Sequence, residues 1–216
     1  MDYQKMYSKK PSSYFGGENY HILKYVPDNL NLVLDVGCSS GGFGALLKER
    51  GIGVWGVEPN EEAALSASKK LDRVINSVFD ETILDQLDVK FDCVFFIDVI
   101  EHLIDPESAL NLCKKILKPN GYIVSAIPNI LQYGTILNIL KTQDWRYTDS
   151  GILDKTHFRF YSQKSILRLF NESGFTVLNN EGWYKKCSPL FKLLNFFLFN
   201  RIESMKYTHF ITVVKY

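Results

Sequence analysis

Acids and glycines follow two predicted strands of this chain at positions where a bound ligand would meet them. Asp35 ends a short apolar run, and the turn of small residues after it contains Gly37 and Gly41. Glycine permits backbone angles and close approaches that a Cβ atom would block. Glu58 ends the next predicted strand, where a carboxylate is able to accept both hydroxyls of a ribose. The pair predicts a nucleotide-like ligand, while Asp35 alone would also fit an acid that satisfies the N–H groups of its own turn.

The spacing of the small residues argues against two common nucleotide ligands. Gly37, Ser39 and Gly42 align with the dinucleotide-binding pattern G-x-G-x-x-G, but the middle glycine is missing. That glycine lets the backbone approach a pyrophosphate, so its absence disfavours a nicotinamide-dependent oxidoreductase. The Gly-Lys-Ser/Thr sequence of a phosphate-binding loop is also absent.

Two histidines stand where they could move a proton. His102 lies in the segment Asp98–Pro106, directly after a predicted central strand. A neutral imidazole has a pKa near 7 and can accept the proton of a substrate hydroxyl. The alternative is that Glu101 and His102 only brace the segment that follows.

His157 belongs to the sequence Asp154-Lys-Thr-His-Phe-Arg159, inside a long irregular stretch. One interpretation makes His157 a hydroxyl-binding or proton-accepting group that Asp154 orients. The other makes Asp154, His157 and Arg159 a network that ties this loop to the domain. The same stretch contains three consecutive residues that would either stack on a sugar face or serve as buried anchors: Trp145, Arg146 and Tyr147.

Strand-like apolar runs alternate with helical patterns, which predicts a parallel sheet with helices on both faces. The predicted strands are 32–36, 53–57, 74–76, 91–97, 122–127, 175–178 and 209–215. The predicted helices are 42–50, 61–71, 106–117, 130–140 and 162–173, with a further one from about Glu18. So long a connection as residues 129–161 is typical of a substrate loop or lid.

Composition limits the other function classes. The chain has 216 residues, 46% of them hydrophobic, and a net charge of +1, which fits one domain and no nucleic-acid partner. Residues 1–10 contain no apolar signal region, and no apolar run would span a bilayer, so a cytoplasmic protein without a membrane segment is expected. The cysteines lack paired spacing and predict neither a metal nor a disulfide: Cys38, Cys93, Cys113 and Cys187.

The glycine turn, Glu58, Asp98–Pro106 and the later Leu117–Tyr122 together resemble class I S-adenosylmethionine-dependent methyltransferases. The resemblance covers about residues 18–182, although Ser39 stands where the family often has glycine. It is greatest to the group with the ubiquinone-pathway O-methyltransferases and the methyltransferases of polysaccharide synthesis. It implies a Rossmann-like α/β fold with a seven-stranded, mostly parallel sheet, an antiparallel last strand and S-adenosylmethionine as cofactor. The residues it places around this cofactor are Asp35, Gly37, Cys38, Ser39, Gly41, Glu58, Pro59, Ser77, Val78, Phe79, Ile97 and Asp98.

The resemblance also implies O-methylation of a small hydroxylated acceptor, with His102, His157 and Asp154 as the catalytic candidates. A sugar or sugar-nucleotide is the first acceptor predicted, and a quinone-like phenol is the second. A non-catalytic cofactor-binding module is the remaining alternative. The whole chain, 1–216, is predicted as one domain with a helical lid at 1–30, a substrate loop at 129–161 and a cap insertion at 185–206.

The segment 189–202 is dense in phenylalanine and leucine. Its two interpretations are a cap helix that packs on the domain or on a second copy in a homodimer, and an interfacial helix that contacts a membrane surface.

Overall fold

The computed structural model of the protein describes Lys10, residues 19–183 and residues 188–216. Seven strands run through this part of the chain: β1 Leu32–Val36, β2 Gly53–Val57, β3 Arg73–Ile75, β4 Phe91–Ile97, β5 Leu117–Pro128, β6 Thr176–Trp183 and β7 His209–Lys215. The α-helices are α1 Gly42–Lys48, α2 Glu61–Ala67, α3 Pro106–Ile116, α4 Tyr133–Thr142, α5 Gln163–Glu172 and α6 Pro189–Phe197. Short 3-10 helices cover Tyr20–Tyr25, Glu81–Gln86, Ile100–His102 and Glu203–Lys206.

The seven strands form one sheet in the order β3-β2-β1-β4-β5-β7-β6. The pairs from β3 to β5 are parallel, and β7 is antiparallel to both β5 and β6. The predicted Rossmann-like sheet with an antiparallel last strand is therefore confirmed. Since β1 to β5 are parallel, their carboxyl ends meet at one edge of the sheet, where α/β folds place ligands.

Apolar side chains on both faces of the central strands explain why these strands read as unbroken hydrophobic runs. Leu34 and Phe96 belong to one core cluster, whereas their neighbours Val33 and Phe95 belong to the other, on the opposite face. Successive residues of a strand point to opposite faces, so a strand covered by helices on both sides needs apolar residues throughout. Cys93 and Cys113 lie in these cores, whereas Cys187 falls outside the described residues.

Helix ends follow the local chemistry of the sequence. Ser162 and Ser165 form a reciprocal capping box at the start of α5, and Gly174 follows its end with φ +77°. Asp105 accepts a hydrogen bond from the backbone N–H of Ser108 at 2.9 Å, with Pro106 in the first helical position of α3. Both termini match the predicted boundaries because capping residues satisfy N–H groups that have no partner inside the helix.

Two strands are longer than the sequence predicts. β5 was expected at 122–127 and spans Leu117–Pro128, while β6 was expected at 175–178 and extends to Trp183. β6 is an edge strand with a register shift between Val177 and Asn179, and its second half is polar. A half-exposed edge strand carries no continuous apolar signal, which is why the pattern missed it.

Other predicted boundaries shift modestly. The helix expected at 130–140 spans Tyr133–Thr142, and the one expected from about Glu18 starts outside the described residues. In its place the structure has the 3-10 helix Tyr20–Tyr25, which buries Ile22 and Tyr25. None of the helices in the described part of the chain combines the length and apolar character that crossing a bilayer requires.

Candidate active site

A cavity of about 390 Å³ opens at the carboxyl edge of the parallel strands. All three predicted catalytic residues line it, as do the predicted cofactor residues with the exception of Gly41. Residues that the sequence did not single out as a site also line it: Asn19, Phe43, Asp80, Val99, Glu101, Leu103, Pro128, Gly151 and His209. Most of them lie in loops far apart in the sequence, so only the fold brings them together.

Glu58 joins the loops that follow β1 and β2. One of its carboxylate oxygens accepts the backbone N–H of Ser39 at 2.9 Å, and the other accepts that of Asn60 at 2.8 Å. The N–H groups of Gly37 and Cys38 donate to the carbonyl of Val57, at 2.7 and 3.1 Å. Because Glu58 and Val57 satisfy three N–H groups of the glycine turn, holding those groups is not the role of Asp35.

The two buried acids carry an electrostatic cost that a cationic ligand would relieve. Burial, and then the nearby charge of Glu58, raise the pKa of Asp35 to about 8. Burial also raises the pKa of Glu58, against the opposing effect of its two backbone hydrogen bonds. A positive group placed in this part of the cavity would favour the ionised form of both acids.

Gly37 forms the floor of this part of the cavity. Its φ is +68°, and a Cβ built there would lie 2.6 Å from Cγ2 of Val99. Gly41 also has positive φ, +76°, but its close neighbour is Ala67 of α2, at 3.1 Å. Gly37 therefore shapes the cavity, whereas Gly41 allows the turn to pack on a helix.

We expect Gly37→Ala to destabilise the protein by about 2–4 kcal/mol, from the left-handed backbone and the contact with Val99 combined. Gly51→Ala is the matched control, because Gly51 has φ +79° but no atom within 4 Å of its added Cβ. That control should cost only about 1 kcal/mol, the backbone contribution alone. Urea unfolding of both variants measures the difference, and equal losses would contradict a steric role for Val99.

His102 and His157 lie side by side at the other end of the cavity. Their rings meet edge to face with centroids 4.7 Å apart. Nδ1 of His102 lies 3.0 Å from the carbonyl oxygen of Thr156, and Nδ1 of His157 lies 3.1 Å from that of Ile152. A carbonyl only accepts hydrogen bonds, so both neutral rings carry their proton on Nδ1 and a lone pair on Nε2.

Both imidazoles are held in the neutral form. Burial, followed by the neighbouring His157, lowers the pKa of His102 to about 4. Burial likewise lowers the pKa of His157 below its ordinary value. Each ring is therefore unprotonated at neutral pH, and burial makes it a weaker base than an ordinary imidazole.

Glu101 lies next to His157, and from the sequence only a bracing role is expected for it. It is 1% exposed, and among the described residues neither of its carboxylate oxygens has a hydrogen-bond partner. Oε1 of Glu101 is 3.9 Å from Nε2 of His157. Burial and the charge of Asp98 raise the pKa of Glu101 well above its ordinary value.

Glu101, His102 and His157 offer ligand atoms within 4.8 Å of one another. A carboxylate and two imidazoles can bind a divalent cation. The expectation from the sequence that the chain has no metal site therefore stays a prediction.

Asp98 connects this region with the last strand. It has φ +56°, and Oδ1 lies 3.3 Å from Nε2 of His209. Burial raises the pKa of Asp98, but the hydrogen bond and the charge of His209 outweigh it and hold the pKa below its ordinary value. Nothing in the sequence near His209 marks it as a site residue; it reaches the cavity because β7 is antiparallel and begins at the carboxyl edge.

The structure places Asp154 differently from its expected role. Its carboxylate accepts hydrogen bonds from N–H and Oγ1 of Thr156, at 2.9 and 2.8 Å, and forms an ion pair with Lys10. The ring of His157 is oriented instead by the hydrogen bond that its Nδ1–H donates to the carbonyl of Ile152. Asp154 therefore shapes the loop that carries His157, and orientation of that imidazole by Asp154 is a wrong prediction.

The rest of the loop is tied to the segment after β4. The carbonyl of Glu101 accepts the N–H groups of Phe158 and Arg159, and the Arg159 guanidinium donates to the carbonyl of Ile104 at 2.9 Å. Trp145 lies against Phe160 with ring centroids 5.3 Å apart and is outside the cavity lining. This favours the bracing interpretation for Arg159, whereas Trp145, at 41% exposed, is not a buried anchor.

Comparison with known proteins agrees with the geometry. A family model described as "Methyltransferase domain" matches residues 20–180. The ubiquinone biosynthesis O-methyltransferase of Idiomarina loihiensis is 30% identical over 63% of this chain and 58% of its own. The human mitochondrial protein of the same name is 29% identical over 67% of this chain and 41% of its own. The chain thus spans about half the length of these relatives.

The fold also has solved counterparts. A SAM-dependent methyltransferase from Archaeoglobus fulgidus superposes with a TM-score of 0.71 at 22% identity, covering 95% of this chain and 97% of the other. The buried acids of the cavity suit the cations of S-adenosylmethionine, and the glycine floor leaves room for it. The family match and the sheet order lead to one conclusion: the chain belongs to the methyltransferase-domain family and has the class I fold of S-adenosylmethionine-dependent methyltransferases.

Proposed function

We propose that the protein transfers a methyl group from S-adenosylmethionine to a hydroxyl oxygen of a small acceptor. Within the cavity, Asp35 and Glu58 would hold the cationic and ribose groups of the donor, and Ser77, Val78 and Phe79 would lie near its adenine. The observation that carries the proposal is the pair of neutral imidazoles, His102 and His157, in the same cavity as these acids. When bound, the donor supplies an electrophilic methyl group on a sulfonium and leaves as a neutral thioether.

His102 is the general base of this proposal. Its Nδ1–H donates to the carbonyl of Thr156, which places the lone pair of the neutral ring on Nε2. The acceptor hydroxyl gives its proton to this nitrogen while its oxygen forms the new C–O bond and the C–S bond breaks. His157 is assigned a positioning role, because its Nε2 faces Glu101.

A phenolic or quinone-like acceptor has more support than a sugar. The relatives named above act in ubiquinone biosynthesis according to their names. The cavity lining includes the apolar residues Val99, Leu103 and Pro128, which can contact an aromatic ring, beside polar residues that can bind its hydroxyls. The sugar acceptor remains a prediction from sequence resemblance.

Donor binding is tested with Glu58→Ala in a calorimetric titration. Removal of a buried carboxylate that contacts ribose hydroxyls should weaken S-adenosylmethionine binding by roughly tenfold to a hundredfold. Glu62→Ala, on the exposed side of α2, is the control and should bind like the wild type. Unchanged affinity in Glu58→Ala would remove Glu58 from the donor site.

The acceptor class is tested separately with labelled donor. A panel of catechols and polyprenyl-like hydroxybenzoates is compared with a panel of sugar-nucleotides, and label should pass only to the phenols. Transfer to sugar-nucleotides alone would reverse the assignment, and donor binding without transfer to either panel would favour a binding module.

A further inference from the structure

The helix α6 and the turn after it present large apolar side chains to solvent. Phe199 is 87% exposed, and Leu190 is 74% exposed. We call this the apolar face, formed by Leu190, Leu193, Leu194, Phe196, Phe197 and Phe199, each more than half exposed. Such a concentration in ten residues is unusual for a surface that meets only water.

The turn that carries Phe199 is held in place by other residues. Phe199 and Asn200 both have positive φ, +52° and +59°, a conformation that is costly for a bulky side chain. The buried Asn195 fixes it: its Nδ2 donates to Oδ1 of Asn200 and to Oε2 of Glu203, and its Oδ1 accepts the N–H of Ile202. The backbone at Phe199 is therefore strained, although the strained conformation holds the aromatic ring in solvent, where the ring is 87% exposed.

The charges that α6 and the turn after it expose are cations, and the first acid beyond them, Glu203, pairs with Lys206. Residues 188–202 contain Lys192 and Arg201 and no acid, and the neighbouring residues 130–144 contain Lys141 and Asp144. α4 packs beside α6, with the rings of Tyr133 and Phe191 4.7 Å apart. Exposed aromatic and aliphatic groups with cations among them fit a surface that is apolar beneath an anionic layer.

The segment that follows the apolar face in the chain reaches the edge of the sheet where the cavity opens. Nδ2 of Asn129, directly after β5, donates to the carbonyls of Ser204 and Tyr207, at 3.0 Å each. Pro128 and His209, the neighbours of these residues in the chain, line the cavity. The apolar face is therefore joined to the cavity edge by this segment.

We infer that the apolar face docks the protein on an anionic lipid surface, with the phenylalanines among the acyl chains and the cations at the headgroups. A second copy of the chain is the competing occupant. A two-fold contact through this face would bring Lys192 and Arg201 of both copies to one interface, where the nearest acid in the chain, Glu203, is already paired with Lys206, so the charges favour lipid. The inference does not depend on which acceptor is methylated.

Co-sedimentation with vesicles tests the inference on the full chain. Vesicles of phosphatidylcholine with about 30% phosphatidylglycerol should bind the protein, while pure phosphatidylcholine should bind it weakly. Phe196→Ser with Phe199→Ser should lower the partition coefficient roughly tenfold or more, because the lost area no longer enters the bilayer. Lys192→Gln with Arg201→Gln should remove the preference for anionic vesicles.

Matched variants and a second measurement keep the test decisive. Leu65→Ser changes an equally exposed leucine on α2, and Lys69→Gln with Lys70→Gln changes exposed lysines near it; all should bind vesicles like the wild type. Calorimetric binding of S-adenosylhomocysteine reports folding of every variant. No binding to anionic vesicles, or equal loss in Leu65→Ser, would overturn the inference, as would a wild-type dimer in light scattering that Phe199→Ser converts to monomer.

Discussion

Replacing His102 by asparagine is expected to lower kcat by roughly a hundredfold to ten-thousandfold, the usual contribution of a positioned general base. Asparagine is the informative choice because its side-chain N–H₂ can replace the Nδ1–H that donates to the carbonyl of Thr156. The local hydrogen bond is kept while the proton acceptor at Nε2 is lost. Binding of S-adenosylmethionine should change little, so the loss belongs to the chemical step.

His157→Asn provides the comparison. It preserves the donor to the carbonyl of Ile152 and removes a ring that faces Glu101. A positioning residue should cost roughly tenfold in kcat, with part of the effect in the KM of the acceptor. A larger loss in His157→Asn than in His102→Asn would exchange the two roles.

The pH dependence of kcat/KM in the wild-type protein tests whether His102 acts as a general base with a lowered pKa. Protonation of His102 would abolish its function as pH falls through its pKa, which burial and His157 lower to about 4. At saturating donor, kcat/KM for the acceptor should therefore stay nearly constant from pH 8 to pH 6. A base with an ordinary pKa of about 6.5 would retain only about a quarter of its activity at pH 6. An acid limb centred near 6.5 would contradict the buried, neutral imidazole.

The sequence predicted the cavity residues at the strand ends and the two histidines, but it missed other residues that line the cavity. Asp35, Gly37 and Glu58 lie at strand ends, so the alternation of strands and helices places them on one edge of the sheet. His209 enters the cavity only through the antiparallel insertion of β7, and Glu101 becomes important only through burial. Neither property has a local sequence signal, because both depend on contacts between distant segments.

The fold shows the same contrast. β1, β2, β4 and β7 match their predicted bounds because buried strands need continuous apolar residues, whereas the polar half of β6 gives no such pattern. The role expected of Asp154 failed for a related reason. Adjacency to His157 in sequence suggested contact, but the turn directs its carboxylate to Thr156 and Lys10.

The second large effect is expected at Asp35, where Asp35→Asn should stabilise the protein without ligand. The pKa of this carboxyl is raised from an unfolded value of 3.8 to about 8. The protein therefore has its full stability with respect to this group below pH 3.8, and it loses that stability progressively as pH rises from 3.8 to about 8. At pH 7, ionisation of Asp35 in the unfolded state lowers the free energy of unfolding by up to about 4 kcal/mol. Asparagine does not ionise, so the variant avoids this loss. Near pH 4 the two proteins should differ by less than about 1 kcal/mol.

Urea unfolding at pH 7 and pH 4 measures this difference, with Asp85→Asn, an exposed acid, as the control that should change little at either pH. Destabilisation of Asp35→Asn at pH 7 would show instead that the carboxylate satisfies groups of its own turn. The hydrogen bonds of that turn to Glu58 and Val57 argue against such an outcome.

Stability and donor binding should respond to Asp35→Asn in opposite directions. If the cationic donor requires an ionised Asp35, binding at pH 7 should release close to one proton, since a group with a pKa of about 8 is mostly protonated there. Calorimetry in buffers of different ionisation enthalpy measures the proton released, and it should disappear in Asp35→Asn. S-adenosylhomocysteine lacks the sulfonium charge, so its affinity should fall less in the variant than that of S-adenosylmethionine. A more stable protein that binds its donor more weakly would identify Asp35 as an acid kept in the core at the expense of stability, because the charge of the methyl donor requires it there.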